Sequence, residues 1–487
     1  MPDQPFLCAG RRVSARSRDP PPRHRLSTAS GKAARLELSS APSSPGPTSA
    51  PRAHRTRTRL KEKTVRMLFL TAGTRGDIEP FAALARAALA AGHDVTLAVP
   101  DNPGVDLSGL QTTSLGIDFA QLIQERGSTA LAAARAFRTR IRPGMRRMFT
   151  EAARVVQQDV PDVVVHHPKV LTAPHAAAAA GVPHLLVEAV PSLSPTSAFP
   201  LPGFVSRDLG PFNRATWRAA SAAGWVFARD VQAACAATGL SPSSSGSRGR
   251  PTPAAASLIP VSPHLLPRPG DWPEHVVLTG TWAGPGGSER LPQQIAEFVA
   301  GGPFLYAGFG SMASGDPRSR TRAVVEAARA HGLRVLLATG WGGLDLPDDV
   351  SGDDVLAVPS VPHRAVLPHA SVAVHHGGAG TVHAVAAAGV SQVVVPFTGD
   401  QPFWARTLHR AHLAARPVPV RQMTTARLRR AIEQALPCTP VAQQIAHAMS
   451  GEDGLRHALQ AIETIISNPE RPLPVSTIPA RRDRGGE

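Results

Sequence analysis

The sequence predicts an α/β fold of two doubly wound, Rossmann-like domains, because apolar runs alternate with amphipathic stretches in two successive series. The runs of the first series are MLFLTA, DVTLAVP, PDVVVHHP and HLLVEAVP, and those of the second are PFLYAGFGS, RVLLATG, DVLAVPS, SVAVHHGG and SQVVVPF. Nearly continuous apolar runs are typical of parallel strands that are buried on both faces. Such folds bind ligands at the carboxyl ends of their strands, and we expect the two domains to face each other across a cleft.

Composition divides the 487-residue chain, which is long enough for two to four domains. Residues 1–64 mix Arg, Ser and Pro without a regular apolar period, so we expect them to be disordered. An N-terminal domain over 65–240, a Ser- and Gly-rich linker over 241–257 and a C-terminal domain over 258–467 are predicted to follow. The Pro- and Arg-rich residues 468–487 are predicted to be a second disordered tail. The predicted helices are 78–91, 171–180, 212–238, 318–331, 381–388, 401–412 and 440–466.

The net charge of +16 is concentrated at the N-terminus. Residues 1–64 contain 14 Lys or Arg and four acidic residues, and so carry ten of the 16 net positive charges. The near balance in the rest of the chain argues against nucleic acid as a partner of the folded part. Three interpretations of the basic segment are open: an arm for acidic surfaces, a transit-like leader, or a start assigned too far upstream. We favour the last, because VRMLFLTAG is typical of an opening strand.

Cysteine usage and hydropathy exclude several other classes of protein. Cys8, Cys235 and Cys438 are widely spaced and form no CxxC motif, which argues against a disulfide framework or a zinc site. This pattern fits a reducing compartment such as the cytoplasm. The sequence has no run of 18 apolar residues free of charge, Pro and His, and no apolar core of a signal peptide, so neither a transmembrane helix nor a secretory signal is predicted.

The first candidate for chemistry is the loop AGTRGDIEP after the first strand. Gly73 and Gly76 allow a tight turn that presents Asp77, a carboxylate suited to act as a general base. The alternative is that Asp77 only caps the following helix.

The second candidate is VAVHHGGAGTVHAV, in which a buried strand ends in His375 and His376 and a glycine turn leads into a helix. The turn is predicted to form a diphosphate cradle, since glycines let backbone N–H groups approach an anion at the positive end of a helix. His376 adds a further donor. Packing alone also explains glycine turns, whereas a metal site is discounted because no third ligand follows at a recognisable spacing.

Two weaker motifs follow other strands. In VVVPFTGDQPFWA, Asp400 and Gln401 are suited to read sugar hydroxyls, with helix capping by Asp400 as the alternative. In AGFGSMASG, Gly310 and Ser311 can face a phosphate, although a GxGS turn is common.

Taken in order, these segments resemble the two-domain glycosyltransferases of the GT-B fold, in the branch that holds sterol glucosyltransferases and the macrolide and glycopeptide-antibiotic glycosyltransferases. The resemblance covers about residues 65–435, and its most specific parts are VPHRAVLPHASVAVHHGGAGT and AAGVSQVVVPFTGDQPFWA. AGTRGDIEPF and LTGTW (278–282) add to it. It implies an N-terminal domain that binds the acceptor, a C-terminal domain that binds a nucleotide-sugar donor, and an inverting reaction that needs no metal or further cofactor.

The resemblance also implies the roles of individual residues. Asp77 matches the catalytic base that deprotonates the acceptor hydroxyl. The residues that match phosphate contacts are Gly310, Ser311, His376, Gly378, Gly380 and Thr381. Asp400 and Gln401 match the pair that reads the sugar hydroxyls. Ser360 stands where relatives often have a tryptophan against the uracil, so base recognition is expected to depend on neighbours such as Val361.

The function expected from this resemblance is transfer of a hexose, foremost glucose from UDP-glucose, to a hydroxyl of a lipophilic acceptor such as a sterol, a polyketide or another secondary metabolite. Two alternatives stay open: transfer to a lipid-linked cell-wall intermediate, and a nucleotide-sugar-binding protein without catalysis. Peripheral contact with membranes is compatible with lipophilic acceptors. The identity of the acceptor and the oligomeric state are not encoded in these motifs.

Overall fold

Two parallel sheets organise the chain, as the sequence predicts. The computed structural model describes residues 64–124, 130–240, 253–282, 290–310, 312, 315–340 and 342–467. These residues belong to one compact unit, Lys63–Glu487. The segments expected to be disordered are 1–64 and 468–487, and all of their residues except Thr64 lie outside the described ranges, as does most of the expected linker.

The first sheet contains seven strands, which are β1 (Arg66–Leu70), β2 (Asp94–Val99), β3 (Gln111–Ser114), β4 (Val163–His166), β5 (His184–Val187), β6 (Ala256–Ile259) and β7 (Val276–Leu278). Their hydrogen-bonded order is β3-β2-β1-β4-β5-β6-β7, with every pair parallel. The order reverses between β1 and β4, where Leu70 lies opposite His166. A reversal of this kind opens a crevice at the carboxyl ends of the two strands.

The second sheet contains five strands, which are β8 (Phe304–Gly308), β9 (Arg334–Ala338), β10 (Val355–Val358), β11 (Val372–His375) and β12 (Gln392–Val394). Their order is β10-β9-β8-β11-β12, again with every pair parallel. This order reverses between β8 and β11, where Gly308 lies opposite His375. Each sheet therefore has its own crevice, and each crevice is bordered by loops that the sequence singled out.

Helices cover both sheets. They are α1 (Arg75–Ala90), α2 (Phe119–Gln124), α3 (Ala130–Ala136), α4 (Arg142–Asp159), α5 (Ala173–Ala180), α6 (Asn213–Thr216), α7 (Arg218–Val226), α8 (Ala228–Ala237), α9 (Gln293–Ala300), α10 (Pro317–Arg329), α11 (His363–Val366), α12 (Ala379–Ala387), α13 (Gln401–Arg410), α14 (Thr425–Ala435), α15 (Thr439–Met449) and α16 (Gly454–Ser467). A π-helical turn, Phe137–Ile141, joins α3 to α4. In the described part of the chain, none of these helices is long and apolar enough to cross a membrane.

The structure departs from the sequence prediction in two helical regions and at one boundary. The predicted helix 212–238 is three helices, α6 to α8, and the predicted helix 440–466 is two, α15 and α16. The first sheet extends beyond the predicted boundary at residue 258, since β6 and β7 pair in register with it. Strand β6 is buried beside β5, and β7 is buried beside β6.

The two halves of the described chain share packed surfaces. Helix α16 returns to the first sheet, where Ala458 and Ile462 join a core that contains Phe81 and Leu84 of α1. A second core combines Phe199 and Trp217 with Phe403, Trp404 and Leu408 of α13. These apolar contacts fix the orientation of the two crevices within this unit.

Candidate active site

Asp77 lies in the first turn of α1, directly after β1. Its carboxylate oxygen Oδ2 accepts a hydrogen bond of 2.8 Å from the backbone N–H of Thr74, the N-cap residue of the helix. The loop must have glycine at position 73, because the residue has a φ of +140° and a Cβ there would lie 2.0 Å from Oδ2 of Asp77. Asp77 thus takes part in the cap of α1, but capping is not its whole environment, since its carboxylate also contacts residues that follow a second strand.

His167 and Lys169, which follow β4, contact the carboxylate of Asp77. His167 Nε2 lies 3.2 Å from Oδ1 of Asp77, and Lys169 Nζ lies 3.0 Å from Oδ2. The backbone N–H of Lys169 donates to His167 Nδ1 at 3.1 Å, so a neutral imidazole carries its proton on Nε2 and donates it to Asp77. Asp77 is therefore held by a backbone amide, an imidazole and an ammonium group.

These partners determine the charge of Asp77. Burial by itself would raise the pKa of the carboxyl, but the hydrogen bond from His167 and the charge of Lys169 outweigh burial and hold the pKa well below its usual range. Burial also lowers the pKa of His167, against the opposing effect of Asp77. At neutral pH the three groups are thus a carboxylate, a neutral imidazole and an ammonium ion.

Replacing Lys169 by methionine is expected to reduce the loss of stability on acidification by about 1 kcal/mol, a modest value because the half-exposed ammonium is partly screened. A carboxyl with a lowered folded-state pKa contributes stability above its unfolded pKa of about 3.9, and this stability is lost as pH falls below that value. Without Lys169 the pKa of Asp77 rises, and its ionisation therefore contributes less to the free energy of unfolding. Denaturant unfolding from pH 6 down to about pH 1 measures it, because the two proteins differ only as pH falls toward the lowered folded-state pKa of Asp77. Lys169→Arg is the matched control because it keeps the charge. Equal acid sensitivity of Lys169→Met and the wild type would show that Lys169 does not act on Asp77.

The glycine turn after β11 forms a cradle at the start of α12. Gly378 is the N-cap residue, and the N–H groups of the first turn, which includes Gly380 and Thr381, have no acceptor within the helix. A Cβ at position 378 would lie 2.5 Å from His376 Nε2, so the imidazole closes one wall of the turn. The positive end of the helix and the ring nitrogen Nε2 of His376 thus face the same space, an arrangement suited to an anion.

His376 is half-buried, and burial lowers the pKa of its imidazole, which favours the neutral form. Its Nδ1 atom is buried and has no hydrogen-bond partner among the described residues. Gly310, after β8, lies against the other side of the ring, since a Cβ at that position would be 3.5 Å from His376 Cε1. The structure thus brings Gly310 and His376 together, whereas Ser311 lies outside the described residues.

Asp400 and Gln401 open α13, but they differ in what they contact. Asp400 Oδ2 accepts a hydrogen bond of 3.1 Å from Trp404 Nε1, and its side chain makes no capping bond to the helix backbone, which contradicts the capping interpretation. Gln401 Oε1 accepts from the backbone N–H groups of Phe397 and Thr398 at 2.7 and 3.1 Å. Gln401 therefore holds the loop before α13, and its Nε2 donates to Sδ of Met312 at 3.4 Å.

Electrostatic effects connect the two crevices. Burial raises the pKa of Asp400, the charge of Asp77 raises it further, and the charge of Lys169 lowers it. The carboxylate from the second half of the chain therefore lies close enough to Asp77 and Lys169 to sense both charges. The halves also meet in an ion pair of 2.8 Å between Arg410 and Asp208.

Val361 precedes α11 and is half-buried, packed against the apolar core beneath β8 and β11. Burial lowers the pKa of His363, and the charges of Arg75 and His376 lower it further against the charge of Glu79. His363 Nε2 lies 2.8 Å from Oη of Tyr306, which holds the start of α11 against β8. Within the described ranges, no group of three or more His, Cys, Asp or Glu side chains is placed to hold a metal ion.

Sequence reasoning missed His167 and Lys169. Two signals could have found them: they follow the buried strand PDVVVHH at its carboxyl end, and Lys169 is the single lysine after Lys63 in a chain that otherwise uses arginine. What the sequence does not show is the strand order that sets β4 beside β1.

Comparison with known proteins identifies the class. A family model described as the C-terminal domain of erythromycin biosynthesis protein CIII-like proteins matches residues 345–454. The chain is 32% identical to O-mycaminosyltylonolide 6-deoxyallosyltransferase of Streptomyces fradiae, with 82% of this chain and 97% of that protein covered. It is 30% identical to a sterol 3-beta-glucosyltransferase of Arabidopsis thaliana (82% and 65% covered) and 31% identical to vancomycin aglycone glucosyltransferase of Amycolatopsis orientalis (70% and 83% covered).

Solved structures agree on the fold. The glycosyltransferase VinC in complex with DTDP superposes with a TM-score of 0.57 at 22% identity, covering 82% of this chain and 99% of that one. The glycosyltransferase of kitacinnamycin superposes with a TM-score of 0.60 at 20% identity, covering 82% and 99%. The fold is therefore GT-B, the architecture of sugar-transferring enzymes with two facing Rossmann-like halves. The chain belongs to the glycosyltransferase family that includes these macrolide, glycopeptide and sterol enzymes, and the resemblance noted in the sequence is confirmed.

Proposed function

We propose that this protein transfers a hexose, foremost glucose from UDP-glucose, to a hydroxyl of a lipophilic acceptor such as a sterol or polyketide, with inversion at the anomeric carbon and without a metal or further cofactor. The observation that carries the proposal is geometric. Asp77 is held by His167 and Lys169 at one crevice, and the loops of the two halves meet where a Cβ at Gly203 would lie 3.3 Å from the backbone of Gly399, the residue before Asp400. The relatives named above act on macrolide, glycopeptide and sterol acceptors, which supports a lipophilic acceptor.

The first chemical step is removal of a proton from the acceptor. Oδ2 of Asp77 is engaged by Thr74 and Lys169, whereas Oδ1 meets only His167 among the described residues. A second lone pair of Oδ1 is thus available for the acceptor hydroxyl. As its proton moves to Asp77, the acceptor oxygen forms a bond to the anomeric carbon of the donor sugar.

The bond between the anomeric carbon and the diphosphate breaks on the opposite face of the sugar, so a single displacement inverts the centre. Both bonding electrons leave with the diphosphate, whose charge grows as the bond lengthens. The first turn of α12 and His376 stabilise this charge, a task that other enzymes assign to a metal ion. Asp400 holds a sugar hydroxyl and thereby orients the anomeric carbon between acceptor and cradle.

Thermal unfolding of the full chain with a panel of nucleotide sugars tests this function. A ligand at 100 times its Kd is expected to add about 2.7 kcal/mol to the free energy of unfolding. The panel contains UDP-glucose, UDP-N-acetylglucosamine, TDP-glucose, UDP and TDP, because the related VinC structure contains DTDP. Product formation with the donor that binds is then followed by mass spectrometry on sterol and macrolide acceptors. A protein that binds no member of the panel would contradict the proposal.

Asp400→Ala is expected to weaken binding of the nucleotide sugar about tenfold while leaving the Kd of the free nucleoside diphosphate nearly unchanged. The variant removes a hydrogen bond from a carboxylate to a sugar hydroxyl, worth about 1.5 to 3 kcal/mol, and no phosphate contact. Calorimetric titration with both ligands measures the two values. Asp353→Ala, a change at an exposed residue, is the matched control. An equal loss for both ligands would place Asp400 outside the sugar site.

A further inference from the structure

An arginine-lined cavity lies outside the site described above. Its volume is about 710 Å³ and its lining combines residues of the π-helical turn, α4 and α8. The lining residues with charge are Arg138, Arg142, Arg146, Arg147, Arg229 and Glu151. Five arginines around one open cavity form a positive surface in a part of the chain that is otherwise near charge balance.

Only part of this charge is neutralised within the protein. Arg142 and Arg146 both pair with the buried Asp230 at 2.8 Å, and Glu151 pairs with Arg154 at 2.7 Å. The other three lining arginines, Arg138, Arg147 and Arg229, form no ion pair with a described carboxylate, and all are exposed. The cavity thus presents at least three guanidinium groups to an external anion.

Exposed apolar side chains accompany the arginines. Among the described residues, six of the eight exposed large apolar side chains fall between residues 193 and 226. Trp225 is 79% exposed and Val226 is 52% exposed, one helical turn before Arg229. The segment is nonetheless anchored, since the Phe227 ring packs on Phe137 and Phe149 with centroids 5.9 and 5.8 Å apart. The indole therefore projects from a fixed backbone.

The surface lies at the same edge of the first sheet as Asp77. Helix α4 leads into β4 and so runs antiparallel to it, which places the start of α4 at the carboxyl ends of the strands. Helix α8 runs beside α4 in the same direction, because Asp230 near its start pairs with Arg142 and Gln157 near the end of α4 bonds to the carbonyl of Thr238. The arginines and Trp225 thus flank the mouth of the acceptor half.

We propose that this surface, defined as Arg138, Arg147, Arg229, Trp225 and Val226, docks on an anionic phospholipid bilayer. Guanidinium groups bind lipid phosphates, while an exposed indole is suited to the boundary between headgroups and acyl chains. The inference that docking delivers a membrane-dissolved acceptor to Asp77 rests on the proposed function; the binding itself does not. A nucleic-acid partner would not account for the aliphatic side chain exposed beside the tryptophan.

Sedimentation of the full chain with vesicles tests the proposal. Binding to phosphatidylcholine vesicles that contain 30% phosphatidylserine is expected to exceed binding to pure phosphatidylcholine and to weaken with salt. A triple variant, Arg138→Ala with Arg147→Ala and Arg229→Ala, is expected to lose about 100-fold in partitioning, since each arginine near the surface contributes about fivefold. Trp225→Ser is expected to weaken partitioning severalfold at every salt concentration.

The control is a second triple variant, Arg318→Ala with Arg322→Ala and Arg456→Ala, which removes the same charge from exposed positions elsewhere. It keeps residues 1–64, as the first triple variant does, so binding by that basic segment is equal in both. Equal loss in the two triple variants would overturn the proposal, as would single-stranded RNA or inorganic diphosphate binding at the arginines without vesicle binding. Transfer to a water-soluble acceptor should persist in the first triple variant. Vesicle binding without any transfer would instead reject the proposed function alone.

Discussion

Replacing Asp77 by asparagine is expected to lower turnover by about 100-fold or more while the donor's Kd changes little. Asparagine keeps the shape of the side chain and still accepts a hydrogen bond from Thr74, but it cannot take the proton of the acceptor hydroxyl. Because Asp77 belongs to the first sheet's crevice and contacts His167, Lys169 and its own loop, the substitution leaves the glycine turn and His376 at α12 unchanged. Single-turnover kinetics with saturating donor, together with calorimetric titration of the donor, separate the two effects.

Asp106→Asn is the matched control, since it changes an exposed acid in the same half of the chain. Thermal unfolding of both variants distinguishes lost chemistry from lost structure, because Asp77 also holds His167 and Lys169. A folded Asp77→Asn enzyme with wild-type turnover would show that another group removes the proton. A variant that loses donor binding and turnover in parallel would place Asp77 in the donor site.

The lowered pKa of Asp77 bears on how the base functions. A carboxylate that stays ionised in acid is available at every physiological pH, yet it is also a weak base, whereas an effective base has a pKa near the working pH. Lys169 has the shortest contact from another strand to this carboxylate and is half-exposed. In the proposed reaction the acceptor hydroxyl meets Oδ1, so the ammonium of Lys169 stays on Oδ2 and keeps the carboxylate ionised until the proton arrives.

Local sequence predicted the fold and the core of the site because both depend on short-range patterns. Continuous apolar runs gave the parallel strands, and the glycine turn after β11 does cap a helix beside His376. The sequence did not predict His167 and Lys169 as partners of Asp77, because they are about 90 residues away along the chain. The order of the strands in the sheet brings them together. At Gln401 the sequence predicted a role that the contacts do not match. The residue type fits sugar recognition, but its side-chain oxygen accepts hydrogen bonds from the backbone N–H groups of Phe397 and Thr398, which the sequence alone does not indicate.

The predicted boundary at residue 258 was wrong for a related reason. A Ser-, Gly- and Pro-rich stretch indicates that the chain leaves regular structure, and it does not tell which sheet the chain re-enters. Strand β6 pairs with β5, so the first sheet has seven strands before the second begins. Helix α16 likewise returns to α1 because its apolar face fits the core of the first half. Local periodicity predicts helices and strands, and it does not predict which distant strands or helices pair with each other.

The second large effect is expected at His376, where replacement by alanine should lower kcat by about 100- to 1,000-fold. The neutral imidazole faces the start of α12 from a half-buried position, so its hydrogen bond to the departing diphosphate forms where water is partly excluded. Charge on the diphosphate is greatest in the transition state, and the loss should therefore fall on kcat more than on donor affinity. Alanine leaves the helix end in place, which retains most of the binding energy of the ground state.

A comparison of donors isolates this role. An activated aryl glycoside releases a phenolate and places no diphosphate in the cradle, so His376→Ala should lose far less with that donor than with the nucleotide sugar. His369→Ala, at an exposed residue of the same half, is the matched control and should lose nothing with either donor. A deficit of equal size with both donors would mean that His376 supports the fold of the turn. A deficit confined to the nucleotide sugar and expressed in kcat would establish that the imidazole and the end of α12 do for the leaving group what a metal ion does elsewhere.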